Sequence, residues 1–182
     1  MQSTFICLVK WANKMVANDC HLQKLSRQIR ILLYLFIAAL LISGLTAFPI
    51  EWELKTANEL IRSLNLDNEL SRWLEKVYAG IRETNDRHPY VAYGTDWLAF
   101  AHVVIAIAFV GPLKDPVRNI WVIEFGMIAC LAVVPHAFIA GQVRQIPLFW
   151  RVFDCMFGLF GLIVLYRCHR KIRILQNMQA KS

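Results

Sequence analysis

The residues from Ile31 to Phe48 read ILLYLFIAALLISGLTAF, eighteen positions without a charged side chain. At 1.5 Å per residue, an α-helix of this length covers about 27 Å, close to the ~30 Å hydrocarbon core of a bilayer. A cleaved signal peptide usually has only about 7–15 apolar residues, and Leu45 stands where cleavage after Ala47 would require a small residue. We therefore expect residues 31–48 to be a retained transmembrane helix.

Three further apolar runs follow in the second half of the chain. Of the 182 residues, 57% are hydrophobic and 18% are charged, whereas soluble domains have about 45–50% apolar and about 25% charged residues. The predicted fold class is all-α, an integral membrane bundle of four transmembrane helices. The predicted spans are residues 31–48, 97–113, 120–141 and 148–166.

Lysine and arginine residues cluster in three of the segments outside the spans. Residues 1–30 contain five bases and one acid, residues 114–119 contain Lys114 and Arg118, and residues 167–182 contain five bases and no acid. The positive-inside rule places these segments, and both termini, in the cytoplasm. Residues 49–96 contain nine acids and six bases and are predicted to be extracytoplasmic. The loop 142–147 is predicted to lie on the same outer side.

The net charge of +7 is explained by these segments, because basic residues at span ends meet anionic lipid head groups. The lipid bilayer is therefore the predicted environment. No stretch interleaves basic and exposed aromatic residues as a nucleic-acid platform does, so no nucleic-acid partner is predicted. The sequence contains no Gly-rich phosphate loop, G-x-S-x-G elbow or H-E-x-x-H motif. The common hydrolase and nucleotide-binding classes are therefore not favoured.

The outer segment 49–96 has the pattern of two amphipathic helices. Thr56 and Glu59 have the spacing of a capping box, and a second helix is predicted to begin at Asp67. Such a pair of helices would lie on the outer membrane surface or cover the mouth of the bundle. Two interpretations remain open: a lid that buries its own apolar stripe, and a dedicated binding module.

Ionisable side chains inside the spans are expensive in a bilayer, so each is a candidate functional residue. His102, His136, Arg151 and Asp154 come from three spans, and all are predicted to lie in the outer half of the membrane. Glu124 is predicted to stand alone near the cytoplasmic end of its span. It is expected to reach the interface or to pair with Arg118.

The outer cluster has a structural and a functional interpretation. In the structural one, Arg151 and Asp154 neutralise each other at i, i+3 spacing, and the two histidines hydrogen-bond between helices or to a carbonyl freed by Pro135. In the functional one, His102, His136 and Asp154 hold a transition metal, or the two histidines hold a haem. A third possibility is a cavity in which Asp154 and the histidines carry protons.

Three segments carry a resemblance to known sequences: YGTDWLAFAH (Tyr93–His102), DPVRNIWVIEFG (Asp115–Gly126) and IPLFWRVFDC (Ile146–Cys155). They resemble stretches of small bacterial four-span membrane proteins of unassigned function. The resemblance covers about the last half of the chain. It implies a location in the bacterial cytoplasmic membrane and no particular activity, cofactor or site.

Small residues favour close packing between the predicted spans. On the third span Ala129, Ala132 and Ala140 form a stripe around His136, and Ala99 and Ala106 flank His102 on the second. We therefore predict a non-enzymatic multi-pass membrane protein, without a cofactor, that acts through helix packing with itself or with a membrane partner. The alternative is a metal- or haem-binding redox protein, and the third hypothesis is a small proton-coupled transporter.

Overall fold

The computed structural model describes the backbone of residues 2–180 and the side chains of residues 20–180. Lys10 and Lys14, two bases of the predicted cytoplasmic segment 1–30, lie outside the described side chains, and Lys181 lies outside the described residues. The chain divides into two compact units. The first contains the residues up to Ile37 and those from Ala108 onward, and the second contains Ala38–Ile107.

All regular elements within residues 2–180 are helical. Four helical stretches are long and apolar enough to cross a membrane, namely Cys20–Thr46, Pro89–Lys114, Ile120–Val143 and Leu148–Gln179. The predicted all-α, four-span fold class is therefore confirmed, and the chain is a multi-pass membrane protein. The α-helices are α1 Gln2–Thr46, α2 Ile50–Ser63, α3 Glu69–Arg87, α4 Tyr93–Ala108, α5 Val110–Lys114, α6 Ile120–Val143 and α7 Leu148–Gln179, with a 3-10 turn at Pro89–Val91.

In the first unit, α6 and α7 approach closely because glycines line their contact. A Cβ atom added at Gly158 would lie 2.8 Å from the carbonyl oxygen of Cys130 and 3.1 Å from the Cβ atom of Val133. Gly158 and Gly161 are both buried on this side of α7. Such contacts are the usual means of packing helices in a bilayer, where lipid tails are as apolar as leucine.

Helix α7 continues beyond Tyr166, where the predicted span ends, to Gln179. Apolar side chains recur along its buried side, at Leu165, Cys168, Ile172 and Leu175. Helix α1 has a similar buried stripe at i, i+3 and i+4 spacing, formed by Leu25, Ile29, Leu33 and Phe36. The Lys171 ammonium donates a hydrogen bond to Oε1 of Gln28 over 2.7 Å, so these two helices also meet through polar side chains.

The second predicted span contains a helix break. Helix α4 ends at Ala108 and α5 begins at Val110. Pro112 has no amide hydrogen and cannot bond to the Ala108 carbonyl four residues earlier, which explains why the regular helix stops there. Phe109 lies at the break, is fully buried, and packs with its ring centroid 4.7 Å from that of Phe36.

In the second unit, α2 begins earlier than the sequence pattern predicted. It starts at Ile50, directly after Pro49, so Thr56 lies inside the helix. The Thr56 hydroxyl donates to the carbonyl oxygen of Trp52 over 2.9 Å, and the predicted capping box with Glu59 is therefore wrong. A threonine hydroxyl commonly bonds to the carbonyl four residues earlier when it sits within a helix.

Helix α3 begins at Glu69 rather than at the predicted Asp67. Asn68 is its N-cap, because its Oδ1 accepts a hydrogen bond from the Ser71 amide over 2.9 Å. The Asn68 amide in turn donates to the Ser71 hydroxyl over 2.9 Å, which completes a reciprocal cap. Asp67 stands outside the helix and pairs with Arg72 over 2.7 Å.

Asn58 provides a buried polar contact between α2 and α3. Its side chain amide donates to the carbonyl oxygens of Leu54 over 2.9 Å and Leu74 over 3.3 Å. A buried amide without partners is costly, so this bond favours one alignment of the two helices. Large apolar side chains nevertheless stay exposed on the pair, including Trp52, Leu60, Leu64 and Leu70. The pair does not bury its whole apolar stripe.

Candidate functional site

His102 lies on α4 in the second unit, where α1 passes very close to it. A Cβ atom added at Gly44 would lie 2.8 Å from the Cβ atom of His102 and 3.0 Å from the carbonyl oxygen of Ala99. Ala99 and Ala106 are both buried, so the predicted close helix approach beside His102 is confirmed. The Nδ1 atom of His102 is 2.8 Å from the carbonyl oxygen of Leu98. A carbonyl oxygen can only accept, so Nδ1 of His102 donates this hydrogen bond.

His136 lies on α6 in the first unit, on a side of the helix that is exposed. Ala129 and Ala132 are exposed with it, and Ala140 is half-buried. The buried side of α6 is instead formed by Val122, Ile123, Gly126, Ala137 and Gly141. The predicted alanine stripe around His136 therefore lies on a different side of α6 from the buried side that faces α7.

Arg151, also in the first unit, holds the turn between α6 and α7. Its Nε donates to the carbonyl oxygen of Ile146 over 2.6 Å, and its Nη1 donates to Oε1 of Gln142 over 2.8 Å. The aliphatic part of the side chain lies over Gly141, where an added Cβ atom would be 2.8 Å from the Arg151 Cδ atom. Arg151 thus donates hydrogen bonds to residues of the turn that precedes α7.

The backbone of this turn places the Ile146 carbonyl oxygen within hydrogen-bonding distance of Arg151. The Ile146 amide bonds to the carbonyl of Gly141 over 2.9 Å, and the Gln145 amide bonds to that of Gln142 over 3.2 Å. This is the Schellman pattern of a helix end, and it requires a left-handed residue, here Gln145 with φ 55°. Asparagine or glycine usually occupies that position, so the turn was not evident in the sequence.

Asp154 is half-buried and lies one helical turn after Arg151 on α7. The predicted mutual neutralisation of Arg151 and Asp154 is wrong, because the guanidinium is directed to Gln142 and Ile146 on the preceding turn. Of the four predicted cluster residues, His136, Arg151 and Asp154 belong to the first unit and His102 to the second.

Glu124 is not isolated, contrary to the prediction. Its Oε1 lies 3.1 Å from the Nε2 atom of His169 and 3.5 Å from the Nη2 atom of Arg173. Both partners come from α7, and they are four residues apart, so they share one helix face. Pairing with Arg118, one of the two alternatives predicted for Glu124, is not what the structure shows. The backbone amide of Arg118 donates to Oδ1 of Asp115 over 2.9 Å.

The interaction of Glu124 with His169 and Arg173 is the polar contact that the sequence interpretation missed. The sequence contained part of the signal for this contact. His169 and Arg173 are four residues apart, and residues at that spacing lie on the same face of a helix. The charge of the tail predicts that it is cytoplasmic, but charge alone does not predict which residues share a helix face. Because α7 continues as a helix through the tail, His169 and Arg173 lie beside Glu124, near the start of α6.

The side chains of residues 20–180 give no geometric support to a metal site. Within the part of the chain that the structure describes, no group of three or more His, Cys, Asp or Glu side chains is placed to hold a metal ion. The metal hypothesis for His102, His136 and Asp154 stays a prediction, because His102 belongs to a different unit of the chain from the other two residues. The haem hypothesis is not tested by this observation and stays a prediction.

The second unit contains a cavity of about 860 Å³ beside the α2–α3 pair. Its wall includes Trp52, Trp73, Val77 and Ile81, together with the charged residues Glu51, Lys55, Lys76 and Asp96. Asn85 and Glu51 are joined across it by a 2.7 Å hydrogen bond. Its size lies within the ~300–1,000 Å³ typical of ligand pockets, and its mixed lining suits an amphiphilic molecule.

Comparisons with known proteins identify no relative of this chain. Protein-family models, curated proteins and solved structures were each searched with the chain, and none of them matches it.

Proposed function

We propose that this chain is a non-enzymatic membrane protein that works through helix packing with a second copy of itself or with a membrane partner. The packing surface is the face of α6 formed by Ala129, Ala132, His136 and Ala140, here called the His136 face. The observation that carries the proposal is the exposed imidazole of His136 within a membrane-spanning helix.

A polar side chain in a transmembrane helix almost always faces a bundle interior, a water-filled cavity or another helix, because hydrocarbon offers it no hydrogen bond. The neighbouring alanines supply the small surface that lets a second helix approach closely enough to reach the imidazole. A histidine flanked by small residues is therefore better suited to a helix contact than to lipid.

The apolar surface of α6 gives the proposal further support. Only 17% of its most apolar window is buried, so most of that surface is left for lipid or for another protein. The exposed side chains on it include Ile128, Leu131 and Ile139 as well as the His136 face.

We place the protein in the bacterial cytoplasmic membrane with both termini in the cytoplasm. The distribution of basic residues supports this orientation, since residues 114–119 and 167–182 carry bases whereas the segment 49–96 is acidic on balance. The bacterial location rests on the three segments that resemble small bacterial membrane proteins.

Site-specific photo-crosslinking in native membranes tests the His136 face. A photo-reactive amino acid replaces Ala132, and we expect a crosslinked product that contains a second copy or one defined partner. His136→Leu in the same background is expected to lower the crosslinked fraction, because interhelical hydrogen bonds contribute about 0.6–2 kcal/mol. The measurement is the yield of crosslinked product on a denaturing gel, followed by mass spectrometry.

The matched control places the same photo-reactive amino acid at Phe138. That position is 43% exposed, but at 100° per residue it lies about 160° around α6 from His136. We expect little crosslinking there beyond lipid adducts. Monomer alone from both positions, or equal yields from the two, would contradict the proposal.

A further inference from the structure

The end of the first unit that carries the loop 114–119 contains a cavity of about 500 Å³. Its apolar floor includes Ile29 of α1 and Leu175 of α7, which are almost completely buried. Three exposed bases, Arg30, Lys114 and Arg118, line it. The volume lies within the ~300–1,000 Å³ range of ligand-binding pockets.

The cavity is positively charged and its bases are available. Its lining contains these three bases and one acid, Asp115, which leaves a net charge of +2. The Asp115 carboxylate already accepts a hydrogen bond from the Arg118 amide. Among the side chains that the structure describes, none of the three bases is engaged in an ion pair. Unpaired guanidinium and ammonium groups around a concave surface favour an anion, and guanidinium suits phosphate in particular.

The loop that supplies two of these bases is held by its own hydrogen bonds. The side chain amide of Asn119 donates to the carbonyl oxygens of Gly111 over 3.2 Å and Asp115 over 2.9 Å. A ligand therefore meets Lys114 and Arg118 on a loop that is already ordered, so less conformational entropy is lost on binding.

The position of the cavity along the chain indicates a lipid as the source of the anion. Arg30 directly precedes the apolar run that begins at Ile31, and Lys114 follows the run that ends at Leu113. Trp121, at the start of the next span, is 63% exposed, and tryptophan is enriched at the level of the head groups. The three bases thus lie where phospholipid phosphates lie, next to exposed apolar helix surface.

We propose that this cavity is a binding site for the phosphate group of an anionic phospholipid, with Arg30, Lys114 and Arg118 as the residues that contact the phosphate. The acyl chains of the lipid run along the exposed apolar surface of the spans. This site differs from general attraction to a charged membrane, because it depends on three particular bases around one cavity.

Native mass spectrometry of the full-length protein in zwitterionic detergent tests the site, with phosphatidylglycerol as the probe. The triple variant Arg30→Gln, Lys114→Gln, Arg118→Gln is compared with Arg27→Gln, Arg167→Gln, Arg170→Gln, which removes three exposed bases outside the cavity. We expect the cavity variant to bind the lipid about tenfold or more weakly than this control, a difference of about 1.4 kcal/mol. Equal affinities in the two variants would overturn the site.

Two further measurements separate the remaining explanations. The charge-preserving variant Arg30→Lys, Arg118→Lys is expected to bind the lipid more tightly than the glutamine variant, because the positive charges remain although the guanidinium geometry is lost. Affinity as low as that of the glutamine variant would contradict a role for these charges. Excess inorganic phosphate is expected to leave phosphatidylglycerol bound to the wild-type protein. Displacement of the lipid by inorganic phosphate would overturn the lipid as the ligand and assign the cavity to a soluble phosphate.

Discussion

Replacing Leu165 by alanine is expected to lower the free energy of unfolding by about 2 kcal/mol, at the lower end of the range for buried leucines. Leu165 is fully buried on α7, and its Cδ1 atom lies against Gly126 of α6. The lower end of that range applies because lipid is as apolar as the protein interior, so burial from water contributes little. The loss of stability therefore comes from the lost van der Waals contacts and from the cavity that is left. Unfolding by sodium dodecyl sulfate in mixed micelles gives the free energy.

Leu159→Ala is the matched control for this prediction. Leu159 lies on the same helix, but it is 50% exposed. Because few protein contacts are lost there, we expect a change within about 0.5 kcal/mol. Equal destabilisation by the two substitutions would contradict the assignment of the buried side of α7.

Gly158→Ala is expected to destabilise the protein by about 1–3 kcal/mol, although alanine is the better helix former. The added methyl group would lie 2.8 Å from the backbone carbonyl oxygen of Cys130, and a backbone atom cannot turn aside as a flexible side chain can. Helices α6 and α7 would have to separate. The same detergent titration measures this loss.

The control for Gly158 is Gly80→Ala on α3, where an added methyl group meets no atom within 4 Å. Here only the helix propensity changes, and we expect stabilisation by about 0.5–1 kcal/mol. The two glycine substitutions should therefore have opposite signs. Stabilisation by Gly158→Ala would contradict the close contact between α6 and α7.

The sequence was sufficient to predict the four spans, because a bilayer core requires long apolar helices and the chain contains four such runs. It was less informative about helix ends. Helix α7 passes Tyr166 because Ile172 and Leu175 continue its buried stripe, whereas hydropathy detects only the charges that follow the apolar run. Helix α3 begins two residues after Asp67 because Asn68 and Ser71 form the cap.

The polar contacts of the spans were harder to predict, because they depend on how each helix is rotated against its neighbour. Helix α6 has two faces rich in small residues, and composition alone does not tell which one meets α7. The structure uses the side with Gly126 and Gly141, whereas Ala129 and Ala132 beside His136 remain exposed. The same rotation decides that Glu124 meets His169 rather than Arg118.

Arg151 illustrates why an intramembrane charge need not mark a ligand site. Its donors are used by the Gln142 side chain and the Ile146 carbonyl, so it stabilises the turn that joins α6 to α7. His136 differs because its imidazole is exposed on a spanning helix. This contrast is the reason for placing the proposed interaction surface at His136.

The four-span topology is tested most directly by reporters of membrane sidedness at two points of the chain. One reporter is fused after Ser182 and the other is inserted at Asn65, in the turn between α2 and α3. Three predicted spans separate the two points, so we expect the first reporter to be active only in the cytoplasm and the second only outside. Activity of both reporters on the same side of the membrane would contradict the four-span topology.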